Sequence, residues 1–140
     1  MYGKSLQKTS PRGKSMGNGQ VTKMKIIEQF RYDGEDFKSV FCYDGWRIGI
    51  LRKSERFSTS GIWERHHKTA EVFVLLSGAA VLYAKNDDGE TEKIEMKNGT
   101  VYGIPTNVWH HVVVADEDTT VLVVENAGTS KENTEKLWNI

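Results

Sequence analysis

A chain of 140 residues is long enough for one domain with a real core, and its 19 basic and 19 acidic side chains cancel. That balance excludes the charge excess that selects nucleic acid or an anionic membrane, and leaves a small molecule or another protein as the expected target. Cys42 is the lone cysteine, so no intrachain disulfide forms and a reducing, cytoplasmic setting is expected; no apolar run reaches the roughly 18 residues of a membrane span.

In chain order, residues 1–23 come first, with Lys4, Lys8, Arg12, Lys14 and Lys23, no acid, and abundant Gly and Ser. Such a segment buries too little apolar surface to offset the entropy of ordering it, so a basic tail outside the domain is expected. Without those five cations, 14 basic residues face 19 acidic ones, and the remainder is mildly acidic.

Residues 24–126 alternate between short β-prone runs and turns, and this span is the expected domain. "MKIIEQF" is the first predicted strand. "SVFCY" and "WRIGILRK" flank Asp44 and Gly45, a dipeptide that suits the positive φ angles of a type I′ hairpin turn. "EVFVLLS" and "AAVLYAK" follow, then the turn "NDDGE", "EKIEMK", a tight turn at Asn98 and Gly99, and "TVYGIP". "VWHHVVVA" and "TTVLVVEN", joined by the acidic turn "DEDT", complete the run. This spacing predicts an all-β protein, an antiparallel sandwich or barrel. Residues 127–140, with Leu137, Trp138 and Ile140, are expected to form a short helix or an irregular strap.

The chemistry concentrates in "ERHHKTAEVFVLLSG", where Glu64, His66, His67 and Glu71 precede an apolar run that ends at Gly78. A second segment, "GTVYGIPTNVWHHVVV", places Gly99, Pro105, Asn107 and His110 in sequence. Gly99 and Asn107 suit turns that need positive φ, and Pro105 fixes φ at a bend where no ladder donor is required. Alternation along the strand sends His110, Val112 and Val114 to one face and His111 and Val113 to the other.

The two segments resemble the paired motifs of the cupin superfamily, H-x-H-x(3,4)-E-x(6)-G and G-x(5)-P-x-G-x(2)-H-x(3)-N. Glutamate stands at the first histidine, Asn107 at the second glycine and Val114 at the final asparagine. The resemblance implies a jelly-roll barrel, the double-stranded β-helix of cupins. It also implies a site of Glu64, His66, Glu71 and His110 for a divalent transition metal: iron, manganese, nickel, cobalt or zinc. If only one carboxylate binds, the set becomes two histidines and a carboxylate, the face that leaves positions open for substrate. A second register makes His67 the ligand and puts Arg65, suited to gripping a carboxylate or phosphate, at the first position.

Two functional classes follow from the resemblance. One is a metal-dependent enzyme on a small polar metabolite, an isomerase, epimerase, lyase or dioxygenase, with Glu64 as fourth ligand or as general base. The other is a binding or sensory module without turnover. A metal-free epimerase would instead pair His66 with Tyr102 or Tyr83. Trp46, Trp63, Trp109 and Tyr102 are candidates for an apolar pocket as well as for core. Members of the superfamily often pair through sheet edges, which makes a homodimer the expected assembly.

Overall fold

The computed structural model describes residues 26–58 and 61–138. Ten strands make two antiparallel sheets: β1 (Phe37–Tyr43), β2 (Trp46–Arg52), β3 (Ile62–His66), β4 (Glu71–Ser77), β5 (Ala80–Lys85), β6 (Thr91–Glu95), β7 (Val101–Ile104), β8 (Trp109–Val114), β9 (Thr120–Asn126) and β10 (Thr134–Trp138). One sheet is ordered β1-β2-β9-β4-β7 and the other β10-β3-β8-β5-β6. The chain crosses between sheets repeatedly, as a jelly roll does. The described residues contain no α-helix, only single 3-10 turns at Glu55–Phe57 and Lys131–Asn133.

Period-two alternation fixes which side chains meet between the sheets. Phe73, Leu75, Val114, Val121 and Val123 are almost wholly buried there, with Leu51 and Leu82 beside them. Each such side chain contributes on the order of 1.5–3 kcal/mol by leaving water. The opposite face of the first sheet is also aliphatic: Ile48 pairs with Val124, which pairs in turn with Val72.

The turns follow local chemistry. Asp44 and Gly45 have φ of 46° and 93°, the two positive values of a type I′ turn, and join β1 to β2 in register Tyr43↔Trp46. Asn107 holds φ at 69°, and its N–H bonds the His66 carbonyl at 2.9 Å, tying the approach to β8 to the end of β3. Gly78, at φ 81°, lies so close to Thr119 that a Cβ there would collide with the threonine backbone. The fully buried Thr119 hydroxyl accepts from Ala79 N at 3.0 Å.

Two expectations change, and one strand was not foreseen. Residues 26–30 of "MKIIEQF" form no strand: Ile26 and Ile27 stand in solvent, and only Phe30 packs, its ring 5.7 Å from that of Phe41. The segment does not extend the sheet beyond β1, its edge strand; Met24 and Lys25 lie outside the described residues, as does the basic segment before them. The stretch before His67 is itself a strand, β3, whose mixed "IWERH" pattern hides its alternation. The C-terminal segment is a strand, β10, paired to β3 from Thr134↔His66 to Trp138↔Ile62, instead of a helix or irregular strap.

Candidate metal centre

His66 ends β3, Glu71 begins β4 and His110 stands near the start of β8, so the two sheets bring a short connection and one distant strand to one point. All three are buried, and one ligand atom from each lies within 4.8 Å of the others. Glu71 Oε1 is 2.9 Å from His110 Nε2 and 3.1 Å from His66 Nε2. The other ring nitrogens are held from behind: His110 Nδ1 is 3.0 Å from the Val108 carbonyl and His66 Nδ1 is 2.8 Å from the Thr134 hydroxyl. A carbonyl accepts and cannot donate, so His110 Nδ1 carries a proton and Nε2 is the nitrogen turned to the cavity. Such backing is what orients an imidazole for a metal.

The electrostatics of the trio match this geometry. Burial alone would raise the Glu71 carboxyl, but hydrogen bonds and charge from His110 and His66 outweigh it and hold it at about 2. Burial opposes the charging of His110, yet the Glu71 carboxylate prevails and raises it above the ordinary histidine value. A divalent ion would take the place of the protons that bridge Nε2 to the carboxylate, and two imidazoles with one carboxylate are a donor set suited to a transition metal.

The trio lies in a cavity of about 710 Å³, within the size range of small-molecule sites. Two rows of inward side chains flank it. On the second sheet, Lys136 pairs with Glu64 and Glu64 with His110 in the strand register. On the first sheet, Arg47 pairs with Glu125, and one step beyond the Val72↔Val124 pair Glu125 falls beside Glu71. Each row therefore runs cation, carboxylate, candidate ligand.

The two carboxylates differ. Glu125 is buried and takes Arg47 Nη2 at 2.6 Å and Nε at 3.0 Å. Burial and the neighbouring Glu71 charge raise its pKa, against the pull of Arg47. Glu64 is looser, with Arg56 Nη2 at 3.4 Å and Lys136 Nζ at 3.8 Å, and it is not part of the tight trio.

The remaining residues singled out in the sequence lie elsewhere. His67 is on the outside, Nδ1 2.6 Å from Asn107 Oδ1 and Nε2 2.7 Å from Glu135 Oε2. Arg65 points away from the cavity, its guanidinium 4.5 Å from the Trp109 ring centroid and bonded to Asp87 and Glu135. Trp63 and Tyr83 pack on His111 at ring separations of 4.5 Å, and Trp46 is exposed. Tyr102 accepts from Lys97 N through its hydroxyl. None of these four aromatic residues lines the cavity with His66, so the histidine–tyrosine pair of a metal-free epimerase is not assembled. Arg47 and Glu125 are the pair that sequence reasoning missed. The signal was a glutamate at an inward position of the alternation "TVLVVEN", after Val121 and Val123.

Residues 57–125 match the family model for the cupin domain. Among curated proteins, glucose-6-phosphate isomerase of Thermococcus litoralis is 29% identical over 103 residues, which cover 73% of this chain and 51% of the relative. This chain thus spans about half the length of that enzyme. Oxalate decarboxylase of Bacillus subtilis, described with Mn(II) centres, superposes with a TM-score of 0.52 at 19% identity over 66% of this chain and 24% of its own; that likeness is one of fold. The 3,4-ketoisomerase QdtA of Thermoanaerobacterium thermosaccharolyticum, solved in complex with TDP, gives 0.55 at 25% identity, over 66% of this chain and 67% of its own. Fold, motif spacing and family match agree, and the chain belongs to the cupin superfamily.

Proposed function

We propose that this protein is a metal-dependent cupin enzyme, an isomerase acting on a small polar metabolite, with His66, Glu71 and His110 as ligands of a divalent transition metal. The observation that carries the reading is the convergence of two buried imidazole Nε2 atoms on one carboxylate oxygen at the floor of a cavity. Among the candidate reaction classes, isomerisation is favoured because two of the proteins it resembles bear that name, a glucose-6-phosphate isomerase and a 3,4-ketoisomerase. Such an ion supplies Lewis acidity toward a substrate oxygen. The chain's own residues do the rest: Val108 O and Thr134 aim the imidazoles, and the Arg47–Glu125 pair fixes a charged wall beside Glu71. Glu64 lines the cavity outside the trio, which supports the general-base alternative over a fourth ligand.

The test is elemental analysis of protein purified without chelator and again after reconstitution, set against His110→Ala. Near-stoichiometric transition metal in the parent and its loss in the variant is the expected result. Metal-free protein under both conditions would overturn the assignment. Uptake must also displace the His110 proton, so affinity should climb roughly tenfold per pH unit until the raised pKa of His110 is passed.

A further inference from the structure

The two cation–carboxylate rows are unequal in a way that bears on what the cavity receives. In the Arg47–Glu125 pair the carboxylate is buried, the contacts are 2.6 and 3.0 Å, and both run from one edge of the guanidinium to a single oxygen. That is a fixed pair, part of the wall. In the other row both contacts to Glu64 are long, 3.4 Å from Arg56 and 3.8 Å from Lys136, and both cations have half-exposed side chains at 47%. Loose, solvated ion pairs contribute little to stability and exchange partners readily.

Two separate elements deliver those cations to one carboxylate. Arg56 comes from the 3-10 turn Glu55–Phe57 ahead of β3, and Lys136 from β10, directly across from Glu64 in register. Lys131, on the second 3-10 turn, lines the cavity as well. With Arg47, four permanent cations line it against the carboxylates of Glu64, Glu71 and Glu125. An excess of one positive charge grows to three once a divalent ion is added, and a cavity of that sign attracts and retains anions.

Resting on the metal-dependent reading above, we propose that Arg56 and Lys136 receive an anionic group of the ligand, a phosphate or a carboxylate, and that Glu64 is the internal counter-ion this group displaces. Glu64 and His110 are register partners, so an anion held at Glu64's cations leaves the rest of a small metabolite facing the trio. Arginine offers a planar fork to either oxyanion and lysine a movable point charge, so the pair fits phosphate and carboxylate alike. The substrate class is accordingly a small anionic metabolite, with its anionic end at the mouth and a neutral oxygen function inward.

The experiment is a titration of the full chain with inorganic phosphate, read by 31P line width and calorimetry, on metal-free and on metal-reconstituted protein. Saturable binding in both states is expected. Arg56→Met and Lys136→Met, both at half-exposed positions that do not hold the core, should each weaken it roughly tenfold, the worth of one charge-assisted contact. Glu64→Gln should tighten it several-fold, because the competing carboxylate is gone. Lys38→Met, on an exposed position of β1, is the control for net charge. Binding that never saturates overturns the proposal, and so does saturable binding that none of the three cavity variants moves. A parallel titration with acetate distinguishes phosphate from carboxylate as the preferred group. Metal content measured on the same samples tests the trio separately, so either reading can fail while the other stands.

Discussion

The same strands are apolar at one end of the barrel and charged at the other. Inward positions run from Glu71 to Phe73 and Leu75 on β4, from His110 to Val112 and Val114 on β8, and from Glu125 back to Val123 and Val121 on β9. At the closed end, Val121 and Val123 expose nothing and Leu75 exposes 2%. At the cavity end the inward groups are buried less completely, and Glu71 and Glu125 sit on neighbouring strands with like charge, an arrangement that destabilises a sheet unless other groups offset it. Arg47 offsets it on one side and the two histidines on the other. The difference teaches that stability is built at one end and spent at the other, the pattern expected where a site overrides the packing rules.

The largest expected effect tests whether the ends are separable. Leu75→Ala, in the dry end, should cost about 3 to 4 kcal/mol in urea denaturation, the usual range for a buried leucine whose cavity only partly collapses. Metal affinity of the folded protein should not change. A parallel fall in affinity would mean that the closed end sets the ligand geometry, and the division would be lost.

The next effect probes the cavity end. Arg47→Met leaves the Glu125 carboxylate buried beside Glu71 without its counter-ion, at a cost of about 2 to 3 kcal/mol. Arg47→Met combined with Glu125→Leu should recover most of that loss, because a hydrophobic pair of similar volume has no charge to strand. A double variant as unstable as the single one would show that the pair holds the fold by shape and not as opposed charges.

Much of this division was legible in the sequence. The alternation of "EVFVLLS", "VWHHVVVA" and "TTVLVVEN" marks the inward faces, and the spacings that resemble cupin motifs single out Glu64, His66, Glu71 and His110, three of which meet in the trio. Asp44–Gly45, Gly99 and Asn107 hold the positive φ their residue types suggested. What stayed hidden depends on pairing between strands. Arg47 and Glu125 are 78 positions apart and meet only through the β2–β9 register, and the contacts of Arg56 and Lys136 with Glu64 likewise depend on where separate elements meet. The β-prone "MKIIEQF" misled because strand propensity reports a fit to a half-buried pleated surface, and Ile26 and Ile27 find no such surface to cover.

The smallest effect sharpens the comparison with a buried polar group outside the trio. His111 follows His110 on β8 but faces the other way, packed between Trp63 and Tyr83. Among the described residues neither of its ring nitrogens has a hydrogen-bond partner, whereas both nitrogens of His110 do. Burial, then the charges of His110 and Lys85, lower its pKa from 6.5 to about 4. Between those values the unfolded chain binds a proton that the folded chain refuses, so this residue makes stability fall as pH drops from 6.5 toward 4. His111→Phe keeps the aromatic packing and removes the stranded nitrogens. It should therefore stabilise the protein by about 1 kcal/mol at neutral pH, with a gain that widens in acid, and it should leave metal content untouched. Thermal denaturation across that pH window, with metal analysis on the same samples, checks both. A variant that lost metal would show that the outer face of β8 supports the ligand on its inner face, and polar burial at His111 would then belong to the site.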